Sequence, residues 1–202
     1  MQDNSLLKKM PYPFIILIIL FSFTSILRVI ELIISNKNFK SRKDENGITI
    51  PIEKSFFLFV LLHVSFLILV PVEVFYLNRP FFNLLGIIML LIYFMCLILR
   101  FHVLNVLGKN WNTKVIYNPK SEDSITITGI YKYIRHPNYL IVILEIISLS
   151  LFHTAIWSFL FFSLCNLVLL FFRINFEEEK LFKNVKYLKH FADKKRFIPG
   201  IF

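Results

Sequence analysis

The chain has 202 residues, of which 56% are hydrophobic and only 18% are charged. Water-soluble domains carry about 25% charged residues, so this composition and a mean hydropathy of +0.66 argue against a soluble protein. The formal net charge of +10 would suggest nucleic acid or an acidic surface as a partner, unless the positions of the basic residues explain it. The length suffices for one domain with a handful of membrane helices of about 20 residues each.

Five apolar segments follow one another along the chain, and we interpret each as a membrane-spanning helix. They cover residues 13–35, 55–76, 81–99, 139–152 and 155–172. Such segments are typical of transmembrane helices, because backbone amides must be hydrogen-bonded internally where water is absent. The fourth is short, so we expect it to begin at the membrane boundary or to form a partly protein-covered hairpin with the fifth. The prediction is one all-α integral-membrane domain over residues 1–202.

The first segment could also be a secretory signal peptide, because Lys8 and Lys9 precede it. The only alanines of the chain are Ala155 and Ala192, so no Ala-x-Ala cleavage site follows that segment. We therefore expect it to be retained as a helix.

Lys and Arg residues alternate between the polar segments in a way that predicts one orientation. Two precede the first helix; the successive connections carry five, one, six (Arg100 to Arg135) and none, and eight follow from Arg173 onward. Short basic loops stay on the cytoplasmic side, which predicts an outside N-terminus and a cytoplasmic C-terminus. The net positive charge is then explained by the orientation of the protein in the membrane and by attraction to anionic membrane lipid, so nucleic acid is not an expected partner. An Ile-, Lys-, Asn- and Phe-rich composition indicates an AT-rich genome and, together with the closing RFIPGIF sequence, favours a bacterial cell membrane.

The first concentration of polar and aromatic residues directly precedes the fourth apolar segment. It reads TITGIYKYIRHPNY over residues 126–139. Pro137 is well placed as the first residue of a helix, where its missing N–H costs nothing. A helix start carries partial positive charge and can receive a carboxylate or hydroxyl of a ligand. The alternative is an ordinary basic and aromatic belt at the membrane interface.

A second concentration follows the fifth apolar segment. Three consecutive carboxylates, Glu177, Glu178 and Glu179, are unexpected beside an anionic leaflet, because they add repulsion there. Arg173 lies four residues before Glu177 and shares a helix face with it. We expect a cationic ligand or a basic partner such as Arg135 to compensate the carboxylates. The alternative is a solvated helix face with an ordinary ion pair, worth well under about 1 kcal/mol.

Charged residues also occur inside the predicted spans. Arg28 and Glu31 lie three apart in the first helix, and Glu145 lies in the fourth. Such residues usually face the bundle interior and mark a pathway, a site or an ion pair, although the long side chain of Arg28 can also reach the interface. Cys96 and Cys165 both lie inside apolar segments, and their number and spacing do not support a metal site.

Five motifs in this order resemble those of the isoprenylcysteine carboxyl methyltransferase family, which consists of integral-membrane, S-adenosylmethionine-dependent enzymes. They are RVIELIISNKN, LGKNW, GIYKYIRHPNY, RINFEEEKL and the closing RFIPGIF. The first two and the last are similar to bacterial members. The resemblance covers most of the chain from Arg28 onward and implies a cofactor site on the cytoplasmic side.

The resemblance also implies roles for particular residues. Arg173 would face the acceptor and Glu177 would hold the cofactor, so these two are the predicted catalytic residues. Eukaryotic members carry a glutamine before the turn that has no counterpart here, which leaves the substrate class open. The other residues implied to line the cofactor cavity are Ile125, Thr126, Tyr131, His136, Pro137, Asn138 and Tyr139.

The implied reaction is methyl transfer from S-adenosylmethionine to the carboxyl or hydroxyl group of a lipophilic small-molecule or lipidated acceptor that enters from the bilayer. A carboxylate acceptor needs positioning more than acid–base help. A phenol or enol must lose a proton, which would give a nearby Glu or His a base role. Isoprenylated cysteine, a long-chain phenol or pyrone, and other lipid acids all fit, and a bacterial source favours a small lipid.

Three other functions compete with this interpretation. A sterol-type reductase would use NADPH, but the 2′-phosphate needs an Arg/Lys cluster, which the three glutamates disfavour. A phospholipid N-methyltransferase uses the same chemistry with an amine acceptor. A non-enzymatic scaffold or small transporter is disfavoured because polar residues cluster outside the spans, whereas a transporter site lies near the midplane.

Overall fold

The computed structural model of the chain describes residues 12–43, 56–115 and 125–197. The segment before residue 12 and the last five residues of the RFIPGIF motif lie outside these ranges. Within them the chain forms six α-helices and no strand, apart from one isolated parallel bridge between Ile134 and Lys195. The prediction of an all-α integral-membrane fold is confirmed. The helices are α1 (Tyr12–Lys43), α2 (Phe56–Tyr76), α3 (Asn83–Leu107), α4 (Pro137–Leu151), α5 (Ile156–Leu181) and α6 (Val185–Phe191).

Four helices, α1, α2, α3 and α5, are long and apolar enough to cross a membrane. Their outward faces carry large apolar side chains, such as Ile19 at 60% exposure and Leu91 at 65%, which is the surface that lipid tails would contact. α4 is also apolar, but its 15 residues extend only about 22 Å, which is less than the bilayer core. α4 packs against α3 and α5.

Three helices continue well past their apolar segments, all at one end of the bundle, which we call the extended end. α1, α3 and α5 were expected to end near residues 35, 99 and 172, but they end at Lys43, Leu107 and Leu181. Hydropathy detects only the part of a helix that lies in an apolar environment, whereas backbone hydrogen bonding continues into the polar turns. These polar turns bring side chains from three helices together outside the apolar core.

At the opposite end, a buried carboxylate caps the start of α5. Glu73 accepts hydrogen bonds from the backbone N–H groups of Trp157 (3.2 Å) and Ser158 (2.7 Å), and it pairs with Arg79 at 2.6 Å. The first N–H groups of a helix have no partner within the helix, and a negative charge there also interacts favourably with the helix dipole. This contact fixes the tight connection between α4 and α5 against α2.

Four charged side chains form a closed network inside the bundle. Glu31 accepts from Arg28 at 2.6 Å and from Arg100 at 3.1 Å. Glu145 accepts from Arg100 at 2.6 Å and also pairs with Arg28. The prediction that the charges within the spans face the bundle interior is confirmed, and Arg28 pairs there instead of reaching the interface. Assigning Arg100 to the basic loop was wrong, because α3 continues to Leu107 and buries it.

Candidate functional site

The extended end encloses a cavity of about 390 Å³, within the usual size range of small-molecule sites. The turn before α4, the polar end of α5 and α6 form one part of its wall, and α2 forms another. Pro137 does not line the cavity, because it is buried as the first residue of α4. The other eight predicted site residues all line it: Ile125, Thr126, Tyr131, His136, Asn138, Tyr139, Arg173 and Glu177.

The turn before α4 depends on a glycine. Gly129 adopts φ +58°, a left-handed conformation that side chains rarely adopt, and opens a short 3-10 turn over Gly129–Lys132. A Cβ at this position would lie 2.8 Å from both His102 Nε2 and Val106 Cγ2 of α3. The turn can therefore pack closely on α3, and this close packing places Tyr131 in the cavity wall.

Arg173, Tyr139 and Glu177 form a hydrogen-bonded row along the wall. Arg173 Nε donates to the Tyr139 hydroxyl at 3.0 Å, and that hydroxyl donates to Glu177 Oε2 at 2.5 Å. The Arg173 guanidinium also lies 4.9 Å from the centroid of the Phe59 ring and donates to the backbone carbonyl of Thr113. The two predicted catalytic residues are thus joined through the tyrosine of the turn, and a cation and an anion face the same cavity.

His136 is held between an aromatic ring and a carboxylate. Its ring stacks on Tyr139 with the centroids 5.4 Å apart, and its Nε2 lies 2.9 Å from Glu178 Oε1. Glu178 also pairs with Arg196 at 2.7 Å and with Arg135 at 3.2 Å. The prediction that Arg135 compensates the carboxylates is confirmed for Glu178. The role of Arg196 was missed, because no periodicity signals that the C-terminal segment folds back onto the turn.

The third carboxylate, Glu179, lies on a solvated helix face with an ordinary ion pair, which was the alternative interpretation of the three glutamates. Its side chain is 60% exposed and pairs with Lys180 at 2.7 Å. Consecutive helical residues point in directions about 100° apart, so the three glutamates cannot share one environment. Glu177 faces the cavity, Glu178 supports the turn and Glu179 faces outward.

Sequence reasoning also missed α6, which contributes an aromatic part of the wall. Tyr187 stacks on Phe191 with centroids 4.5 Å apart, and both line the cavity near Tyr131. Burial raises the pKa of the Tyr131 and Tyr187 phenols well above the ordinary value, and the Glu177 carboxylate adds to both shifts. Both phenols therefore keep their hydrogen at neutral pH. Asn184 was a detectable signal for this helix, because its side chain caps the N–H groups of residues 186 and 187.

The RVIELIISNKN and LGKNW motifs meet beside the cavity. Asn38 Nδ2 donates to the carbonyls of Gly108 (3.1 Å) and Trp111 (2.9 Å), and Ser35 Oγ donates to Asn112 Oδ1 at 3.1 Å. These bonds fasten the loop after α3 to the end of α1. The same loop supplies the carbonyl of Thr113 that Arg173 contacts. The two motifs therefore position the wall around Arg173.

Four buried polar atoms of lining residues have no hydrogen-bond partner among the described residues. They are the acceptor Asn138 Oδ1 and the donors Trp111 Nε1, Arg100 Nε and Arg135 Nε, of which the two arginines are paired through their other nitrogens. Buried polar groups are nearly always paired, so such atoms in a cavity wall are what a polar ligand would satisfy. Together with the phenols and the Glu177 carboxylate, they suit a ligand that carries both donors and acceptors.

The cavity also has an apolar arm that runs along α2 into the bundle. Its walls include Phe59, Leu67 and the more exposed Leu32 (41%), Val60 (37%) and Val64 (50%). Arg28 and Arg100 of the charged network also line the cavity. The site therefore has a polar, aromatic part at the extended end and an apolar part within the bundle. Sequence reasoning did not identify α2 as a contributor, because its lining residues are ordinary apolar residues of a span.

The comparisons with known proteins match this part of the chain. The profile of the isoprenylcysteine carboxyl methyltransferase (ICMT) family matches residues 87–183, a range that contains all nine predicted site residues. The chain is also 32% identical, over 155 residues, to the uncharacterized protein YpbQ of Bacillus subtilis (strain 168). That alignment covers 76% of this chain and 89% of the relative.

Proposed function

The chain belongs to the isoprenylcysteine carboxyl methyltransferase family, and from this premise we propose that it transfers the methyl group of S-adenosylmethionine to the carboxyl or hydroxyl group of a lipophilic acceptor at the cytoplasmic membrane face. Family membership supports a membrane methyltransferase. The use of S-adenosylmethionine and a lipophilic acceptor is supported by one observation. Arg173, Tyr139 and Glu177 form a hydrogen-bonded row in a cavity with one polar and one apolar part.

The polar part of the cavity fits the cofactor. S-adenosylmethionine supplies a methyl group on a sulfonium, and it also carries an amine, a carboxylate, ribose hydroxyls and adenine. The Glu177 carboxylate would stabilise the positive charge, since its side chain faces the cavity with 25% exposure. Asn138 Oδ1 and Trp111 Nε1 supply an acceptor and a donor that have no hydrogen-bond partner in the described part of the chain. The rings of Tyr187 and Phe191 offer an aromatic surface for the base.

Arg173 would orient the acceptor. Arg173 is only 8% exposed, and its guanidinium is held by the Tyr139 hydroxyl, the Thr113 carbonyl and the Phe59 ring. The side chain therefore loses little conformational freedom when it binds an oxygen anion of the acceptor. Well-oriented reactants can supply roughly 7–11 kcal/mol of the barrier reduction. The buried surroundings of Arg173 would also exclude water. This weakens the solvation of the sulfonium cation of the cofactor and of a carboxylate acceptor.

The apolar arm supports an acceptor that enters from the bilayer. A lipid tail can lie against Leu32, Val60 and Val64 while its head group reaches Arg173. The excess of basic residues at the extended end is consistent with a cytoplasmic position of this site.

The test uses membranes that contain the full-length protein and methyl-labelled S-adenosylmethionine. We expect labelled lipid or lipidated product with the wild type, and at least about a tenfold loss with Glu177→Gln and Arg173→Ala, because each removes a charge that faces the reacting groups. Glu179→Gln is the matched control, since it removes a neighbouring carboxylate that is exposed. No label in any lipid or lipidated fraction, or full activity of both site variants, would overturn the proposal. The mass of the product identifies the acceptor, and its fragmentation locates the added methyl group on oxygen or on nitrogen.

A further inference from the structure

His63 is a histidine in the apolar arm that the proposed function does not use. It lies on α2, one turn after Phe59, and lines the cavity. Its Nδ1 lies 2.8 Å from the backbone carbonyl oxygen of Phe59. A carbonyl oxygen can only accept, so Nδ1 carries the hydrogen, and in the neutral ring Nε2 is then a hydrogen-bond acceptor. An ordinary imidazole is mostly neutral at pH 7.

The charged groups around His63 already have partners of their own. Arg28 and Glu145 line a small void of about 10 Å³ together with His63, and Arg100 lies in the same network. Arg28 and Arg100 are both bonded to Glu31 and Glu145, so each charge of the network has an opposite charge without the histidine, although Arg100 Nε has no hydrogen-bond partner among the described residues. Among the described residues, the hydrogen bond of His63 is made through Nδ1. Nε2 is therefore available to a ligand in the arm.

The position of His63 relative to Arg173 indicates which part of an acceptor can contact Nε2. The Phe59 ring lies directly against the Arg173 guanidinium, and one helical turn of about 5.4 Å separates Phe59 from His63 along α2. An acceptor whose reacting oxygen meets Arg173 therefore has the next few atoms of its head group beside His63. A plain hydrocarbon there would leave Nε2 desolvated and unpaired, which is unfavourable.

We propose that His63 selects the acceptor by accepting a hydrogen bond from an O–H or N–H group next to the oxygen that is methylated. This inference rests on the proposed function, because that function defines the arm as the acceptor site. Two sources have this chemistry: the amide N–H of an N-acylated, S-isoprenylated cysteine, and the hydroxyl of a long-chain hydroxy acid. A simple fatty acid has the same tail and carboxylate but lacks the donor.

Two matched ligand pairs test the proposal with the purified full-length protein in detergent. One pair is N-acetyl-S-farnesylcysteine and its N-methylated amide analogue; the other is 2-hydroxyhexadecanoic acid and hexadecanoic acid. We expect the wild type to bind the member with the donor about tenfold more tightly in one pair, as estimated for one buried hydrogen bond. The pair that shows this ratio identifies the source of the donor.

Variants of His63 show whether the preference depends on this ring. His63→Phe keeps the volume but removes the acceptor atom, so we expect the ratio to fall to about one. His63→Gln offers a side-chain carbonyl and should retain part of the preference. His190→Phe, the same replacement at an exposed position, is the control. Equal binding within both pairs by the wild type, or an unchanged ratio in His63→Phe, would overturn the inference.

The two proposals fail in distinguishable ways. If labelled methyl groups appear in lipid but neither ligand pair is discriminated, only the role of His63 is wrong. If neither lipid nor lipidated material is labelled, the methyl transfer is wrong, whereas the binding ratios still show whether His63 discriminates ligands that carry the donor.

Discussion

Glu177 and Glu178 are neighbours on α5 that serve different parts of the site. Glu177 accepts from the Tyr139 hydroxyl and faces the cavity, whereas Glu178 holds His136 and two arginines of the surrounding chain. The helical rotation between consecutive residues separates these roles. The spacing of Arg173 and Glu177 was sufficient to place them on one face, but the spacing could not reveal that Tyr139 joins them.

Tyr139→Phe tests the importance of that link. The variant keeps the ring that stacks on His136 and contacts Arg173, but it removes the hydroxyl that joins the cation to the carboxylate. Hydrogen bonds to charged groups contribute about 1.5–3 kcal/mol, so we expect kcat/KM for methyl transfer to fall about tenfold to a hundredfold. Steady-state kinetics with labelled S-adenosylmethionine measure this.

Tyr133→Phe is the matched control, because Tyr133 lies near the same turn but is 64% exposed. Its kinetics should remain close to those of the wild type. Wild-type kinetics in Tyr139→Phe would contradict a role of the hydroxyl in connecting Arg173 with Glu177.

At the scale of elements, the cores of the helices were predictable and their polar ends were not. Continuous apolar runs predict spans because the lipid imposes both length and polarity on them. The predicted start of α4 at Pro137 agrees with the structure, since proline suits the first turn of a helix. The continuations of α1, α3 and α5 carry no such signal, and the position of Arg100 was misjudged for that reason.

Gly129→Ala tests whether the turn before α4 depends on close packing against α3. The left-handed conformation alone costs an alanine about 1–2 kcal/mol. The added Cβ would also approach His102 and Val106 to 2.8 Å, so the turn must shift. We expect a lower thermal midpoint of unfolding and a higher KM for S-adenosylmethionine, because the turn carries Tyr131.

Gly108→Ala separates the cost of the backbone conformation from the cost of the steric contact with α3. Gly108 also has a positive φ, of +49°, but a Cβ there meets nothing within 4 Å. Its alanine variant should lose stability through the backbone conformation alone and should raise the KM for S-adenosylmethionine less than Gly129→Ala does. If both variants behave alike, the contact with α3 is not what positions the turn.

At the scale of the whole molecule, the apolar core and the charged network have different roles. In a bilayer the hydrophobic effect does not drive helices together, so packing and polar contacts decide which arrangement forms. One apolar cluster, with large buried side chains such as Phe66, Tyr93 and Phe162, lies towards the end of the bundle opposite the cavity, and two smaller clusters lie beside the cavity. The network joins α1, α3 and α4 beneath the cavity. The sequence predicted that Arg28, Glu31 and Glu145 face inward, but pairing across helices required knowing how the helices meet.

The protein should be destabilised more by the loss of one charge of the network than by the loss of one positive and one negative charge together. Among the described residues, Arg100→Met leaves Glu145 paired with Arg28 alone, and Glu145→Met leaves Arg100 paired with Glu31 alone. Removing one partner of a buried ion pair costs about 3–5 kcal/mol, because a charge remains uncompensated. The double variant removes one positive and one negative charge and keeps the Arg28–Glu31 pair at 2.6 Å. Unfolding in detergent should therefore show a smaller loss of stability for the double variant than for either single one, and a loss equal to the sum of the two would contradict the closed network.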